Sequence, residues 1–543
     1  MENSIEMIKK IFLYVFTTFL STCLLLLLLE GAFCVLGFPQ GASDFIERAI
    51  FQQKLEFRKP AGQFRIFVFG ESTVHGAGYA PTSSPVKWLG AYLKDFLPER
   101  NIQVINFGRL GEGSADIAQA FIDTLQYQPD LAIFYLGHNA FFLVNRADVT
   151  EKKEAKFASR LKKWFHKSRL ISAVVRESIK QKIKRHDKET QDVMGDPRVE
   201  TIPEPFKQGS PKITLPGSPL FLENVRFFKA NIEKIIEAGK KNKVPVLFMK
   251  PVCNLKDYPP NLSSHLKALS PEELKQWEHL YQQGQEAATK KDDLQALDYF
   301  EKAFAIDPTY ADLSFRLGQL YFQSGALGKA RSFFVQARDN DVVIGRAPKG
   351  ILSIFDNLAK QGKIHYFDTE KVFVPKVPGG ILGWPIIEDN VHFSIEGHAL
   401  AGRALAEEIA RNAWIAPRSA WRFDRERPMA EIKKEFGVSD ETILVNYCSI
   451  IGFLANRPDM RLEFAQRAWE LFPEHPLAQR ELAWSYWLQG DKDRAIDIYR
   501  HLRKTDPIAL EAVFRTQPEI KQAFESSVAI LKTPVPLPEK KGT

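Results

Sequence analysis

Ser72 stands three residues after a mainly apolar run, Phe64 to Phe69 (FRIFVF), that is broken by Gly70. Such a run reads as a buried strand, and in a parallel α/β sheet ligands meet the loops at the carboxyl ends of the strands, where a nucleophile belongs. A serine behind a glycine also serves turns and helix N-caps, so Ser72 alone decides nothing. A second segment, Asp389-Asn-Val-His392, precedes the helical stretch Ala399 to Ala410. An Asp and a His three residues apart on a turn can meet so that the carboxylate fixes the imidazole tautomer while the other ring nitrogen faces a hydroxyl. The chemistry these types suit is acyl transfer, because a serine hydroxyl needs a base in reach and the tetrahedral intermediate needs donors for its negative oxygen. Asn106-Phe-Gly-Arg-Leu-Gly-Glu-Gly-Ser114 has glycines that let backbone N–H groups approach a ligand, and Gly137-His-Asn139 brings a side-chain amide. Taken singly, either is also ordinary turn chemistry.

These segments need a frame, and strand-like runs supply it. Phe64 to Phe69, Gln103 to Phe107, Leu131 to Leu136, Val244 to Met249 and, more weakly, Ile364 to Phe367 alternate with amphipathic stretches such as Val86 to Leu97 and Ile117 to Leu125. Strand and helix in alternation predict a three-layer α/β sandwich around a parallel sheet, with the four segments at its carboxyl edge. The alternation breaks twice. Residues 151–187 carry thirteen Lys or Arg against four acids, with Phe157, Leu161, Trp164 and Phe165 forming an apolar stripe. This basic stretch reads equally as a helix on an anionic membrane surface or as a solvated helix packed on the catalytic domain, and 188–220 as a polar, Pro-rich loop.

The second break is a repeat. Gly284, Ala296, Phe300, Ala303 and Pro308 recur 34 residues later as Gly318, Ala330, Phe334 and Ala337, with Val342 in place of the Pro. Thirty-four is the tetratricopeptide period, with small residues where two helices cross. Pro473 and Pro507 mark another pair, in which Leu482, Ala483, Tyr486, Ala495 and Tyr499 fit and the preceding unit keeps mainly Ala468. Such repeats bind protein partners or buttress a neighbouring domain. Two units are too few to stand alone, so packing against the enzyme domain or against the other pair is expected.

The chain has 543 residues, too many for one core. Its 45% hydrophobic and 26% charged residues are those of a folded protein, and the four scattered cysteines imply neither a metal site nor a disulfide. The net charge of +8 is matched by the +9 of residues 151–187 alone, and no nucleic-acid signature appears, so nucleic acid is excluded as a partner. From Ile11 to Leu29 run nineteen uncharged, mainly apolar residues, long enough to span a bilayer. Lys9 and Lys10 precede the run and Glu30 follows it, so the expected arrangement is an uncleaved single-pass anchor with a cytoplasmic N-terminus and an extracytoplasmic catalytic domain. The exit Glu30-Gly-Ala-Phe-Cys34 is a poor cleavage site.

In order and context the four segments resemble the sequence blocks of the SGNH/GDSL hydrolases. Gly70-Glu71-Ser72 is similar to the GDS block with Glu for Asp, Asn106 to Gly111 to the second block, Gly137-His138-Asn139-Ala140 to G-x-N-D with Ala for Asp, and Asp389 to His392 to D-x-x-H unchanged. The resemblance covers 62–260 and 345–412. It implies Ser72 as nucleophile, His392 as general base and Asp389 as its orienter, with the N–H of Ser72, the N–H of Gly111 and the amide of Asn139 as oxyanion hole, and no cofactor or metal. Glu71 and Ala140 lie beside the chemical groups and touch local geometry. His75, His138 and His398 are expected to pack or hydrogen-bond and not to catalyse. The expected organisation is an anchor at 1–40, a hydrolase domain at 62–260 with a basic insertion at 150–220, a tetratricopeptide-like insertion at 265–342, the last hydrolase part at 345–412 and repeat-like helices at 440–515. The function implied is an anchored serine esterase of O-acyl esters, foremost O-acetyl groups on envelope glycans. Its alternatives are an O-acyltransferase to a glycan hydroxyl and an inactive repeat scaffold. The partners expected are the ester substrate, a protein on the repeats, and the membrane through 11–29 and through 151–187.

Overall fold

Five strands form one parallel sheet: β1 (Phe64–Gly70), β2 (Ile102–Gly108), β3 (Leu131–Tyr135), β4 (Val246–Met249) and β5 (His365–Phe367), in the order β2-β1-β3-β4-β5. All five runs read as strands from the sequence are present, shifted by up to two residues at their ends. The computed structural model describes residues 44–141, 213–454 and 457–532, with scattered positions within 14–32 and 168–181. The chain visits β1, steps out to β2 and returns past β1 to β3, so the switch point of the sheet lies at β1. Gly70 is level with Gly108 on one side and with Tyr135 on the other, so the three loops that follow leave the sheet at one height.

Both faces of the sheet are covered. On one, Phe107, Phe69, Phe134 and Phe248 stack across four adjacent strands with centroids 5.1–5.2 Å apart, and each is nearly or fully buried. Each buried Phe contributes about 1.5–3 kcal/mol, so the ladder fixes strand register beneath the site. Helices Asp44–Gln52, Ser114–Thr124, Pro219–Asn242 and Lys349–Lys360 close over it. On the other face Ile66, Val68 and Ile133 are buried, Pro85–Phe96 lies on β2 and Ile395–Arg411 packs against that helix. Three helices start at the same signal, a Ser whose hydroxyl accepts the N–H three residues on, followed by Pro: Ser84-Pro85, Ser218-Pro219 and Ser270-Pro271.

Between β4 and β5 the chain inserts four helices, Pro271–Thr289, Asp293–Ile306, Ala311–Gln323 and Leu327–Asp339. The 34-residue repeat is a packing repeat. A Cβ on Gly284 would lie 2.4 Å from the Phe300 ring, and one on Gly318 would lie 2.7 Å from the Phe334 ring, so each glycine seats the phenylalanine of its partner helix. The departure at Val342 has a cause too: its N–H donates to the Leu262 carbonyl at 3.1 Å, which a Pro could not do. The insertion does not stand free, since Leu313, Leu317 and Phe334 share one apolar cluster with Leu255, Ile381 and Val391.

The chain divides into two compact units, 1–77 with 83–427, and 78–82 with 428–543. The second is built of helices Met429–Phe436, Asp440–Phe453, Pro458–Leu471, Pro476–Leu488, Lys492–Thr505, Pro507–Thr516 and Pro518–Lys532, so the helical region begins before 440 and continues past 515. Its core holds Ala483, Ala495 and Tyr499, three of the residues named by the repeat.

Among the described residues no helix is long and apolar enough to cross a membrane. Residues 14–22 are helical, with Tyr14, Phe16, Phe19 and Leu20 exposed, while Ile11 to Leu13, Cys23 and Leu27 lie outside the described residues. The Glu30 carboxylate accepts the Ser168 hydroxyl and the Arg169 N–H, both at 2.8 Å. The stripe Phe157, Leu161, Trp164 and Phe165 lies outside the described residues, as does most of 188–220.

Candidate active site

The sheet delivers Ser72 directly from β1 into a four-residue helix, Ser72–His75. Asn106, near the end of β2, holds the next loop against it: its amide nitrogen donates to the Val74 carbonyl at 2.9 Å and its oxygen accepts the Gly108 N–H at 2.8 Å. Gly108 must lack a side chain, because a Cβ there would sit 2.3 Å from the His75 nitrogen.

The Asp-x-x-His segment is a pinched turn. Ile387 and Phe393 pair antiparallel, Glu388 N–H donates to the His392 carbonyl at 3.0 Å, and Ser394 caps the helix that follows. Inside it, Asp389 Oδ1 accepts the N–H groups of Val391 and His392 at 2.9 and 2.7 Å. Its Oδ2 lies 2.6 Å from His392 Nδ1, and His392 Nε2 lies 2.7 Å from Ser72 Oγ. An ionised carboxylate only accepts, so Nδ1 carries the proton and Nε2 presents its lone pair to the Ser72 hydroxyl. The Thr73 hydroxyl reaches the Val391 carbonyl at 3.3 Å and ties the two segments together.

Burial alone would disfavour the imidazolium of His392. The paired Asp389 carboxylate and the charge of Glu71 outweigh it, and hold the ring above the ordinary histidine value. Burial likewise works against the Asp389 charge, and the His392 ring with the two turn N–H groups reverses it, so this carboxyl stays below its ordinary value.

The structure therefore brings Ser72, His392 and Asp389 into one hydrogen-bonded line. Gly111 lies in the loop after β2 at φ +69°, a left-handed conformation that suits glycine. Among the described residues the N–H groups of Ser72 and Gly111 donate to no partner. Asn139 Nδ2 donates to the Glu112 carbonyl at 3.0 Å, which joins the third expected donor to the Gly111 loop.

Glu71 lies beside the reacting groups and acts on local geometry, in a way the sequence did not specify. Its carboxylate is buried and accepts three consecutive backbone N–H groups, those of Gly137, His138 and Asn139, at 2.9, 3.0 and 3.1 Å. It fixes the turn that presents Asn139. Burial pushes this carboxyl up to about 7, against the pull of the three N–H bonds and of His392. The available signal was an acidic residue directly after a mainly apolar strand, since such a carboxylate is buried only when partnered. His138 is buried between the Ala347 N–H at 3.2 Å and the Tyr135 hydroxyl at 3.3 Å, and His398 meets the Ser83 hydroxyl at 3.1 Å. Burial lowers both rings to about 3, so they stay neutral. His75 is half-buried in the short helix behind Ser72.

Residues 66–189 match the family described as GDSL-like lipase/acylhydrolase. The chain carries a GDSL-like acylhydrolase domain. The match takes in Ser72, Gly111 and Asn139, while Asp389 and His392 lie beyond it. Residues 292–342 and 461–507 match tetratricopeptide repeats, one stretch in the helices between β4 and β5 and one in the second unit. Among solved structures, a GDSL-like lipase from Bacteroides thetaiotaomicron is 12% identical with a TM-score of 0.30, covering 68% of this chain and 98% of its own. An acetylxylan esterase from Geobacillus stearothermophilus is 13% identical with a TM-score of 0.27, covering 64% and 94%. A tetratricopeptide protein from Thermus thermophilus is 13% identical with a TM-score of 0.13, covering 47% and 99%. No curated protein matches the chain. The GDSL-like domain makes the chain an ester-hydrolysing enzyme.

Proposed function

We propose that the chain is a membrane-anchored serine esterase that removes O-acyl groups, foremost O-acetyl, from cell-envelope glycans. The observation that carries the mechanism is the line Ser72 Oγ, His392 Nε2, His392 Nδ1, Asp389 Oδ2, with contacts of 2.7 and 2.6 Å. Ser72 Oγ attacks the ester carbonyl as its proton passes to His392 Nε2, and Asp389 stabilises the imidazolium that forms. The negative oxygen falls to the N–H groups of Ser72 and Gly111 and to the Asn139 amide. His392 then protonates the leaving alkoxide, a sugar hydroxyl is released, and Ser72 keeps the acyl group. Water, deprotonated by the same nitrogen, attacks the acyl-enzyme and frees the carboxylic acid with Ser72 restored. The His392 side chain is 26% exposed, so water has access to the base for this second step.

The anchor rests on the uncharged run at 11–29 and on the exposed apolar side chains of its described part. A cytoplasmic N-terminus follows from the lysines before it and puts the site outside the cytoplasm, where acylated glycans lie. The bonds from Ser168 and Arg169 to Glu30 bring these two residues to the end of that run, and the +9 charge of 151–187 in the sequence supports a stretch that lies on an anionic surface. The repeats are proposed to take a protein partner.

A serine-reactive fluorophosphonate tests the chemistry. Wild type is expected to take the label on Ser72, and Ser72→Ala to take none. A folded wild-type protein that resists the label would sink the esterase and leave the repeats as a scaffold.

A further inference from the structure

The helical insertion meets the candidate active site through its neck. Its incoming segment, Asn254 to Leu262, and its outgoing segment, Asp341 to Ala347, are clamped by two buried charged residues. Asp341 accepts the N–H groups of Asn261, Leu262 and Val343 at 2.8, 3.1 and 3.1 Å. Arg346 is 2% exposed, donates from Nη1 to the carbonyls of Asn254 at 3.0 Å and Tyr258 at 2.7 Å, and holds Nη2 3.6 Å from Asp341. The residues on either side of Arg346 reach the two halves of the site. Gly345 accepts the side-chain amide of Asn390, inside the Asp-x-x-His turn, at 3.3 Å. Ala347 N–H donates to His138 Nδ1 at 3.2 Å, in the turn that presents Asn139. Asn254 closes the circuit by donating its N–H to the Asn390 carbonyl at 3.0 Å.

We infer that Arg346 is a positioning residue for the acyl-transfer site, holding the base-bearing turn and the oxyanion turn in mutual register from the neck of the insertion. A buried guanidinium that spans two carbonyls and a carboxylate fixes the path of Gly345 to Ala347, and that one stretch touches both turns. Displacing it moves His392 relative to Asn139 while leaving every reacting group chemically intact. Misplacement of reacting groups by about 1 Å costs on the order of 10²-fold in rate. The inference rests on Ser72 and His392 being the reacting pair, and the experiment separates the two claims.

The full chain is compared as wild type, Arg346→Met, Arg346→Lys and Asn390→Ala, with Ser72→Ala as control. Two readouts are taken on each: steady-state acetate release, and the low-field proton resonance of the His392 Nδ1–H to Asp389 bond, which needs no turnover. Arg346→Met is expected to lower kcat about 10- to 100-fold with KM nearly unchanged and to weaken or shift that resonance. Arg346→Lys, which keeps a donor, is expected to recover part of both. Asn390→Ala cuts only the tether to Gly345, is expected to reproduce the loss in milder form, and decides the matter if Arg346→Met does not fold. Wild-type kcat and a wild-type resonance in the folded variants, with or without a lower melting temperature, would overturn the inference. Absence of turnover in wild type would instead overturn the esterase reading, and the resonance would still decide the role of Arg346.

Discussion

At the scale of residues, the proposed mechanism makes His392 the group that sets pH dependence, and Glu71 holds local geometry. His392 must be neutral to accept the Ser72 proton, and its pKa is raised by Asp389 and Glu71 against the effect of burial. The acid limb of kcat/KM is therefore expected above the ordinary histidine value, with activity lost as pH falls through it. Asp389→Asn removes the charge that favours the imidazolium, so the limb should move to lower pH while the rate falls about 10⁴-fold. A pH–rate profile of both proteins checks the two signs together. Glu71→Ala would strand three N–H groups, of which the two from Gly137 and His138 are buried. Each buried donor left unmade costs about 1–3 kcal/mol, so thermal unfolding should show a loss of several degrees. The Asn139 donor should loosen with it, and loss of one oxyanion donor costs about 10²- to 10³-fold in kcat. Ser72, Asp389 and His392 were legible because each ends or follows a recognisable local pattern. The work of Glu71 was not, because its partners lie 66 to 68 residues away and no spacing rule connects them.

At the scale of elements, the short apolar runs and the 34-residue period carried most of the fold. FRIFVF and LAIFYL read as strands because they are buried on both sides, and the weak run at 364–367 yielded the shortest strand. The repeat was legible because the contact of Gly284 with Phe300 recurs as that of Gly318 with Phe334. Gly318→Val should force the Phe334 ring to shift and cost about 1–3 kcal/mol in denaturant unfolding, whereas Gly328→Val, where a side chain meets open space, should cost less. An equal loss at both positions would deny the packing role. The neck of the insertion was illegible, since Arg346 and its carbonyl partners lie 88 and 92 residues apart and an Arg in a linker carries no pattern.

At the scale of the whole molecule, the run at 11–29 is proposed to hold the enzyme to a membrane while the GDSL-like domain does the chemistry. Deleting residues 1–40 should move the protein from the membrane fraction to the soluble one and leave its kcat on a small acetyl ester within about twofold, because no residue of the reacting line lies there. The insertion between β4 and β5 makes the catalytic turn part of a helical cluster, so a partner docked on those repeats would act on the same core that holds Val391. All of this stands on Ser72 being an acylated nucleophile. The most direct measurement is acetate release from an acetyl ester by purified wild type and by Ser72→Ala, each shown to be folded. The account predicts steady turnover in wild type and a fall of at least about 10⁴-fold in the variant. Turnover that survives in Ser72→Ala at the wild-type rate would contradict it.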